Sequence, residues 1–144
     1  MIRLQFRSSL HAPVERVWKD IVSSAAINDE MRPLMSMSMP DSLLAAFQPG
    51  VPLSRSRLRL FGLMPVGVSW LTLNSLTPMT GFVEVSPVTG MHSWRHERHL
   101  APTPDGCTLL DTLTFEPRYF SGVTQMLVTV LFRHRHRRLR RRYG

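Results

Sequence analysis

Cysteine is almost absent from the sequence: Cys107 is the only one among 144 residues. A single cysteine forms neither an intramolecular disulfide nor an all-cysteine metal site. The composition therefore favours neither secretion nor a zinc-stabilised fold, and we expect a cytoplasmic protein. A chain of this length buries roughly 70% of the surface that its unfolded state exposes. We therefore expect residues 1–144 to form a single domain without covalent cross-links.

Long hydrophobic runs are also missing. Residues 1–18 lack the continuous apolar segment of a secretory signal peptide. The longest helical apolar stretch, residues 123–132, would cover about 15 Å, half of a bilayer core, and it contains two threonines and a glutamine. The sequence therefore predicts no transmembrane helix.

Acidic residues are missing from the C-terminal end, where most of the net charge of +8 is concentrated. Residues 133–142 hold seven of the 18 basic residues, and the rest of the chain holds 11 basic residues against 10 acidic ones. We expect a solvated, basic helix end. Contact with an anionic membrane surface is the alternative, through Arg133, Arg135, Arg137, Arg138, Arg140, Arg141 and Arg142. Nucleic-acid binding is disfavoured because only Tyr143 supplies an aromatic ring nearby.

Apolar and polar residues alternate in six segments, which predicts six strands with one buried face each. These segments are residues 2–10, 53–61, 66–76, 82–87, 92–100 and 108–116. The connections between the last four are too short for a crossover helix. The middle of the chain is therefore expected to form an antiparallel meander.

Helical periodicity is found at both ends of the chain. Pro13 opens a short amphipathic helix over residues 14–22 with Trp18 as its anchor. Residues 25–50 permit only short helical turns, of which 42–47 is the best. A long helix is predicted over residues 122–142, with an apolar stripe against the sheet formed by Val123, Leu127, Val130 and Leu131.

Four methionines crowd the irregular stretch between these elements: Met31, Met35, Met37 and Met39. Methionine is flexible and adapts to irregular surroundings. We expect these side chains to fill gaps in the core, and the alternative is that they line the entrance of a ligand cavity.

Several short motifs resemble one protein superfamily. Residues 12–18, APVERVW, look like the entry to its first helix, and Trp94-Arg95-His96 looks like its W-x-H pattern. Further matches follow in Gly106-Cys107-Thr108 with Asp111, and in Leu131-Phe132-Arg133 with Arg135 and Leu139. Together they resemble small bacterial ligand-binding members of the START/polyketide-cyclase-like (SRPBCC, Bet v 1-like) superfamily.

This resemblance implies an α+β helix-grip fold. A curved antiparallel sheet wraps around a long C-terminal helix, short helices follow the first strand, and a cavity accepts an apolar small molecule. The first functional hypothesis is therefore binding or transport of a hydrophobic small molecule, such as a lipid, a polyketide or an isoprenoid-like compound. The expected cavity walls include Trp70, Glu84, Trp94, Phe115, Leu127 and Leu131.

The alternative is an enzyme of the polyketide cyclase or dehydratase type. His96 and Asp111 lie on neighbouring predicted strands, and a carboxylate beside an imidazole tunes proton transfer near neutral pH. They would act as acid and base, unless they form only a structural cross-strand pair. A third possibility, an interaction module acting through its basic helix, predicts a cavity filled by the protein's own side chains.

No metal or cofactor is expected. His92 and His96 share a strand face but lie about 13 Å apart along it, too far for joint ligation at roughly 2 Å. His99 points to the opposite face. Cys107 has no histidine at a diagnostic spacing, so the sequence does not support covalent catalysis.

Overall fold

The computed structural model describes all 144 residues and contains seven strands and four helices. The strands are β1 (Ile2–Leu10), β2 (Met35–Met37), β3 (Pro52–Leu60), β4 (Met64–Thr77), β5 (Gly81–Val85), β6 (Met91–Thr103) and β7 (Gly106–Pro117). The helices are α1 (Val14–Ile21), α2 (Ser24–Met31), α3 (Leu43–Ala46) and α4 (Ser121–Tyr143).

The strands form one antiparallel sheet in the order β1-β7-β6-β5-β4-β3-β2. β3 to β7 pair consecutively, as their short connections predict, and β1 pairs with β7 so that Ile2 lies opposite Phe115. Register shifts interrupt three of the ladders, and such bulges bend a strand. The sheet curls around α4. The expected helix-grip fold is therefore confirmed.

The predicted number of six strands was wrong, because β2 forms a seventh. β2 has three residues and pairs with β3, so that Met35 lies opposite Leu60. Three residues are too few to show an alternating pattern. The strand is positioned by Asn28, whose Oδ1 accepts a hydrogen bond from the Met37 backbone N–H at 2.8 Å.

The turn between β6 and β7 requires a glycine at position 106. Gly106 has φ +155, and a Cβ there would lie 2.1 Å from the backbone oxygen of Leu10. Only a residue without a side chain allows the end of β1 to approach β7 this closely. The glycine of the motif at residues 106–108 therefore has a structural cause.

The helices between β1 and β3 close one end of the sheet. α1 buries Trp18, which is 4% exposed, as predicted for its anchor. α2 is longer than the short turns expected here, and its N-terminus is capped by Ser23, whose Oγ accepts from the Ala26 N–H at 3.3 Å. The turn predicted over residues 42–47 is confirmed by α3.

The predicted contact face of α4 was wrong except at Leu131, which packs against the buried core. Val123, Leu127 and Val130 of the expected stripe are 53%, 56% and 51% exposed. The helix instead buries Val128, Phe132, Arg135, His136, Leu139 and Tyr143. Aromatic packing and buried carboxylates on the opposite side set the rotation of the helix.

Candidate functional site

A cavity of about 180 Å³ lies between the sheet, α4 and the segment that carries α2, β2 and α3. Hydrophobic residues make up 17 of the 22 residues that line it. Five of them are methionines: Met31, Met35, Met37, Met39 and Met91. The alternative in which the crowded methionines line a cavity therefore matches their positions. β4 contributes Ser69, Leu71 and Leu73, which alternate along one strand face.

One end of the cavity is formed by charged side chains. We call Glu30, Arg98, Asp111 and Arg135, together with His96 and His136, the buried ion cluster; each of the six is at most 7% exposed. Three of its members, His96, Arg98 and Arg135, line the cavity. Buried charges are tolerated only when they are paired and hydrogen-bonded. The contacts within the cluster therefore decide what this end of the cavity can do.

Arg98 joins the two carboxylates of the cluster. Its Nε donates to Asp111 Oδ1 and its Nη2 to Asp111 Oδ2, both at 2.8 Å. Nη1 and Nη2 donate to the two oxygens of Glu30 at 3.1 Å. All three nitrogens of this guanidinium are engaged by the protein itself, so Arg98 has a structural role at the cavity wall.

His96 lies between two carboxylates. Its Nε2 is 2.7 Å from Asp111 Oδ1, and its Nδ1 is 3.5 Å from Glu84 Oε1. Burial disfavours the charged imidazole, but the Asp111 charge and hydrogen bonds to both carboxylates outweigh it and raise the pKa of His96 above 6.5. His96 and Asp111 therefore meet as predicted, and their contact favours the charged form of the imidazole.

α4 supplies two further members of the cluster. Arg135 donates from Nε to Glu30 Oε2. His136 Nε2 lies 2.7 Å from Asp111 Oδ2, and an ionised carboxylate only accepts hydrogen bonds, so this nitrogen carries the proton. These bonds fix the C-terminal part of α4 on the sheet.

The carboxylates of the cluster stay ionised despite their burial. Burial works to raise the pKa of Asp111, but the charges of Arg98 and His96 and the hydrogen bonds from Arg98 and His136 hold it well below 3.8. For Glu30 burial is likewise opposed, by Arg135 and Arg98, and its pKa lies below 4.5. At neutral pH Asp111 and Glu30 are therefore ionised, and they form ion pairs with Arg98 and Arg135.

The expected solvated basic end is only partly present. Arg135 is 7% exposed and belongs to the cluster. Arg138 and Arg142 both pair with Asp29, at 3.3 and 3.4 Å. Arg140 donates to Ser8 Oγ at 2.9 Å. Arg133, Arg137 and Arg141 are exposed and make no ion pair or side-chain hydrogen bond.

The residues predicted for the site fall into three groups. Glu84, Trp94, His96 and Leu131 line the cavity. Asp111 and Phe115 are 0% exposed and lie behind its wall, where Phe115 packs against Trp94 with ring centroids 5.5 Å apart.

Trp70 and Leu127 lie outside the cavity. Trp70 is 46% exposed under the guanidinium of Arg55, because β4 turns the alternate residues Ser69 and Leu71 inward. Leu127 is 56% exposed because α4 turns Val128 inward. The sequence did not single out Glu30, Arg98 or His136 as site residues, and it gave Arg135 only as part of a family motif and as a candidate contact to a membrane surface. Glu30 is the only acidic residue among the methionine-rich positions 30–40, which is the one signal that could have found it.

No group of three or more His, Cys, Asp or Glu side chains is arranged to hold a metal ion. Cys107 is buried, and burial raises the pKa of its thiol, so it is a poor nucleophile. No helix combines the length and apolar content needed to cross a membrane.

Residues 8–143 match a protein family described as "Domain of unknown function (DUF8410)". The chain belongs to the DUF8410 family. No curated protein matches the sequence.

Solved structures show the fold of this DUF8410 chain in other proteins. A protein from Chromobacterium violaceum has a TM-score of 0.76 at 13% identity, covering 98% of this chain and 96% of that one. Ara h 8.0201 has a TM-score of 0.64 at 12% identity, with 96% and 97% covered. DynU16, from the dynemicin biosynthetic locus, has a TM-score of 0.62 at 16% identity, covering 95% of this chain and 46% of that one. The resemblance to the START/polyketide-cyclase-like (SRPBCC, Bet v 1-like) superfamily is thereby confirmed at the level of the fold.

Proposed function

We propose that this protein binds or carries a hydrophobic small molecule in the cavity between the sheet and α4. The observation that carries the proposal is the composition of the wall, where 17 of 22 residues are hydrophobic and five are methionines. Transfer of apolar ligand surface from water into such a space is favourable by about 25 cal/mol per Å². Flexible methionine side chains adapt to ligands of different shape.

The size of the cavity restricts the ligand. Pockets for drug-sized molecules usually measure about 300–1,000 Å³, and this cavity measures about 180 Å³. A medium-length acyl chain or a compact ring system fits it better than a sterol.

The buried ion cluster explains how the fold keeps this space open. Arg135 and His136 attach α4 to Glu30 and Asp111, in addition to the apolar contacts that Val128, Phe132 and Leu139 make with the core. The Phe6–Phe132 stack, with ring centroids 5.7 Å apart, adds an aromatic contact between β1 and the same turn of α4. This arrangement supports a ligand-binding function over a filled core.

Mass spectrometry of the purified protein tests the proposal. Native spectra are compared with denaturing spectra, and we expect a lipophilic compound that is bound in the first and released in the second. Leu71→Trp places an indole in the cavity from a residue that is 5% exposed, and we expect it to abolish the bound mass. The matched control Leu63→Trp changes a residue that is 86% exposed and should retain it. A bound mass that persists equally in both variants would place the ligand elsewhere.

A second candidate function, a cyclase or dehydratase, is favoured by one observation: His96 lines the cavity and lies 2.7 Å from Asp111. The fold shared with DynU16, a protein in the dynemicin biosynthetic locus, is in keeping with it. Both imidazole nitrogens face carboxylates, so a base function would require His96 to release one of them.

Deuterium exchange at the acidic carbon of a β-keto ester tests this second function. An enzyme that forms enolates accelerates the exchange, and His96→Asn should remove the acceleration. Exchange at the rate of buffer alone with the folded wild type would eliminate the cyclase hypothesis.

Contact with an anionic lipid surface also stays a proposal, now restricted to Arg133, Arg137 and Arg141. Each arginine near such a surface contributes about 1 kcal/mol. Cosedimentation with phosphatidylserine vesicles should weaken as salt is added, and salt-independent binding would argue against it.

A further inference from the structure

Two polar side chains on the cavity wall have polar atoms that make no hydrogen bond within the protein. Arg135 is 7% exposed and donates only from Nε, to Glu30, whereas Nη1 and Nη2 make no hydrogen bond. Ser69 is 3% exposed, and its buried Oγ has no hydrogen-bond partner. Both residues line the cavity. Buried polar groups in proteins are almost always satisfied, and the Ser69 Oγ is an exception to this rule. Together with the unengaged Nη1 and Nη2 of Arg135, it offers polar atoms to a ligand in an otherwise apolar cavity.

The unpartnered atoms of Arg135 have a specific geometry. With Nε bound to Glu30, the remaining Nη1 and Nη2 form the end of the guanidinium fork, which matches the two oxygens of a carboxylate. The guanidinium lies over the Phe132 ring, with Cζ 4.7 Å from the ring centroid. This packing limits the orientations of the fork.

The neighbouring charges leave room for an anion at this position. Glu30 is the only carboxylate within ion-pair distance of Arg135, and Glu30 also binds Arg98. Asp111 is engaged by Arg98, His96 and His136. Arg135 therefore has a single counterion, Glu30, and shares it with Arg98.

We propose that the ligand of this cavity is a carboxylic acid whose carboxylate is held by Nη1 and Nη2 of Arg135, and that Ser69 binds an oxygen at its far end. The proposal rests on the proposed function, because it names the ligand class of the same cavity.

The positions of the two residues indicate the length of the ligand. Phe132, under Arg135, packs against His96 with ring centroids 5.2 Å apart, and His96, Glu84 and Leu73 lie in one row across the sheet. Ser69 is four residues from Leu73, about 13 Å along β4. A medium-length acyl chain with an oxygen at its distal end spans a comparable distance.

Calorimetric titration with three ligands of equal chain length tests the proposal: decanoic acid, decanol and ω-hydroxydecanoic acid. We expect the wild type to bind decanoic acid at least about tenfold more tightly than decanol, since hydrogen bonds to charged groups have this strength. Arg135→Gln should reduce the preference to about twofold or less. Arg137→Gln, the same change at an exposed position of the same helix, should leave it unchanged.

Ser69 is tested in the same titrations. We expect ω-hydroxydecanoic acid to bind the wild type about fivefold more tightly than decanoic acid, and Ser69→Ala to remove this difference. If Arg135→Gln does not fold, Arg135→Lys keeps a cation beside Glu30 but loses the fork, and the preference for the acid should still fall at least about threefold.

The outcomes separate this inference from the proposed function. Equal affinity for decanol and decanoic acid in the wild type, or a preference that survives in Arg135→Gln, would overturn the carboxylate assignment and leave the apolar cavity as a binding site. Failure of all three ligands to bind would overturn both.

Discussion

In α4 the apolar half is largely exposed, and the arginine-rich half is largely packed against the core. The N-terminal half, residues 121–131, is apolar, yet Val123, Met126, Leu127 and Val130 are each more than 50% exposed. The C-terminal half, residues 132–143, contains all seven arginines of the helix, yet it buries Arg135 and His136 along with Phe132 and Leu139. The polar half of the helix thus forms more of the core than the apolar half.

The carboxylates of Glu30 and Asp111 determine which side of α4 faces the core. Glu30 and Asp111 are ionised and buried in the wall of the sheet and α2, and an unpaired buried carboxylate is strongly destabilising. Arg98 pairs with both of them, and the side of α4 that carries Arg135 and His136 supplies a further partner to each. Exposure of the three aliphatic side chains on the other side has a smaller cost.

Removal of a central carboxylate should have the largest effect. Asp111→Asn leaves Arg98 and His96 buried without their shared counterion, and breaking a buried pair in this way costs about 3–5 kcal/mol. Urea unfolding at neutral pH measures the loss. Asp105→Asn, the same change in the exposed β6–β7 turn, is the control and should stay within about 0.5 kcal/mol of wild type.

The same substitution in the two halves of α4 tests the comparison directly. Leu139 is 5% exposed and Leu127 is 56% exposed. Leu139→Ala should lower the free energy of unfolding by about 2–4 kcal/mol because it creates a cavity, and Leu127→Ala by less than about 0.5 kcal/mol. Equal losses would show that the N-terminal half is buried in solution.

The same substitution at a buried and at an exposed arginine of α4 should change the free energy of unfolding by a smaller amount. Arg135→Gln removes a charge-assisted bond to Glu30, which keeps Arg98, so we expect a loss of about 2 kcal/mol in the free energy of unfolding. Arg137→Gln on the exposed side should be neutral within about 0.5 kcal/mol. A reversal of this order in chemical denaturation would mean that Arg135 is not paired with Glu30.

The smallest expected effect is the pH dependence of stability. The pKa of His96 is raised above 6.5 in the folded state, so its contribution is complete below about pH 6.5 and is lost as the pH rises through the folded-state pKa. The pKa values of Asp111 and Glu30 are lowered, and their contribution is lost in acid.

Urea midpoints measured between about pH 6 and pH 9 should therefore decline for the wild type. His96→Gln should flatten the decline, and His92→Gln, an exposed position on the same strand, should not. An unchanged decline in His96→Gln would assign the pH dependence to another group.

The long strands could be predicted from the sequence because apolar and polar residues alternate along most of their length. Residues 2–10 and 108–116 show the alternation clearly, and both appear as paired strands. β2 could not be predicted because three residues are too short for a periodic signal.

The side of α4 that faces the core could not be predicted from hydrophobicity, since it is determined by carboxylates that are distant in the sequence. Glu30 lies 105 residues from Arg135 and 68 from Arg98. The prediction that Trp70 lines the cavity was wrong for a related reason. Strand alternation defines two sets of side chains, and in β4 the bulky Trp70 belongs to the exposed set. His96 and Asp111 were predicted together because they lie on adjacent strands of a meander.

Methionine methyl NMR shows whether an apolar ligand occupies the cavity. Of the nine methionines, Met31, Met35, Met37, Met39 and Met91 line the cavity. The other four, Met1, Met64, Met79 and Met126, are exposed and lie outside it. On addition of decanoic acid, we predict that the methyl signals of the five cavity methionines shift and that the other four do not. Unchanged signals for all nine, or shifts confined to the exposed four, would contradict a ligand-binding cavity.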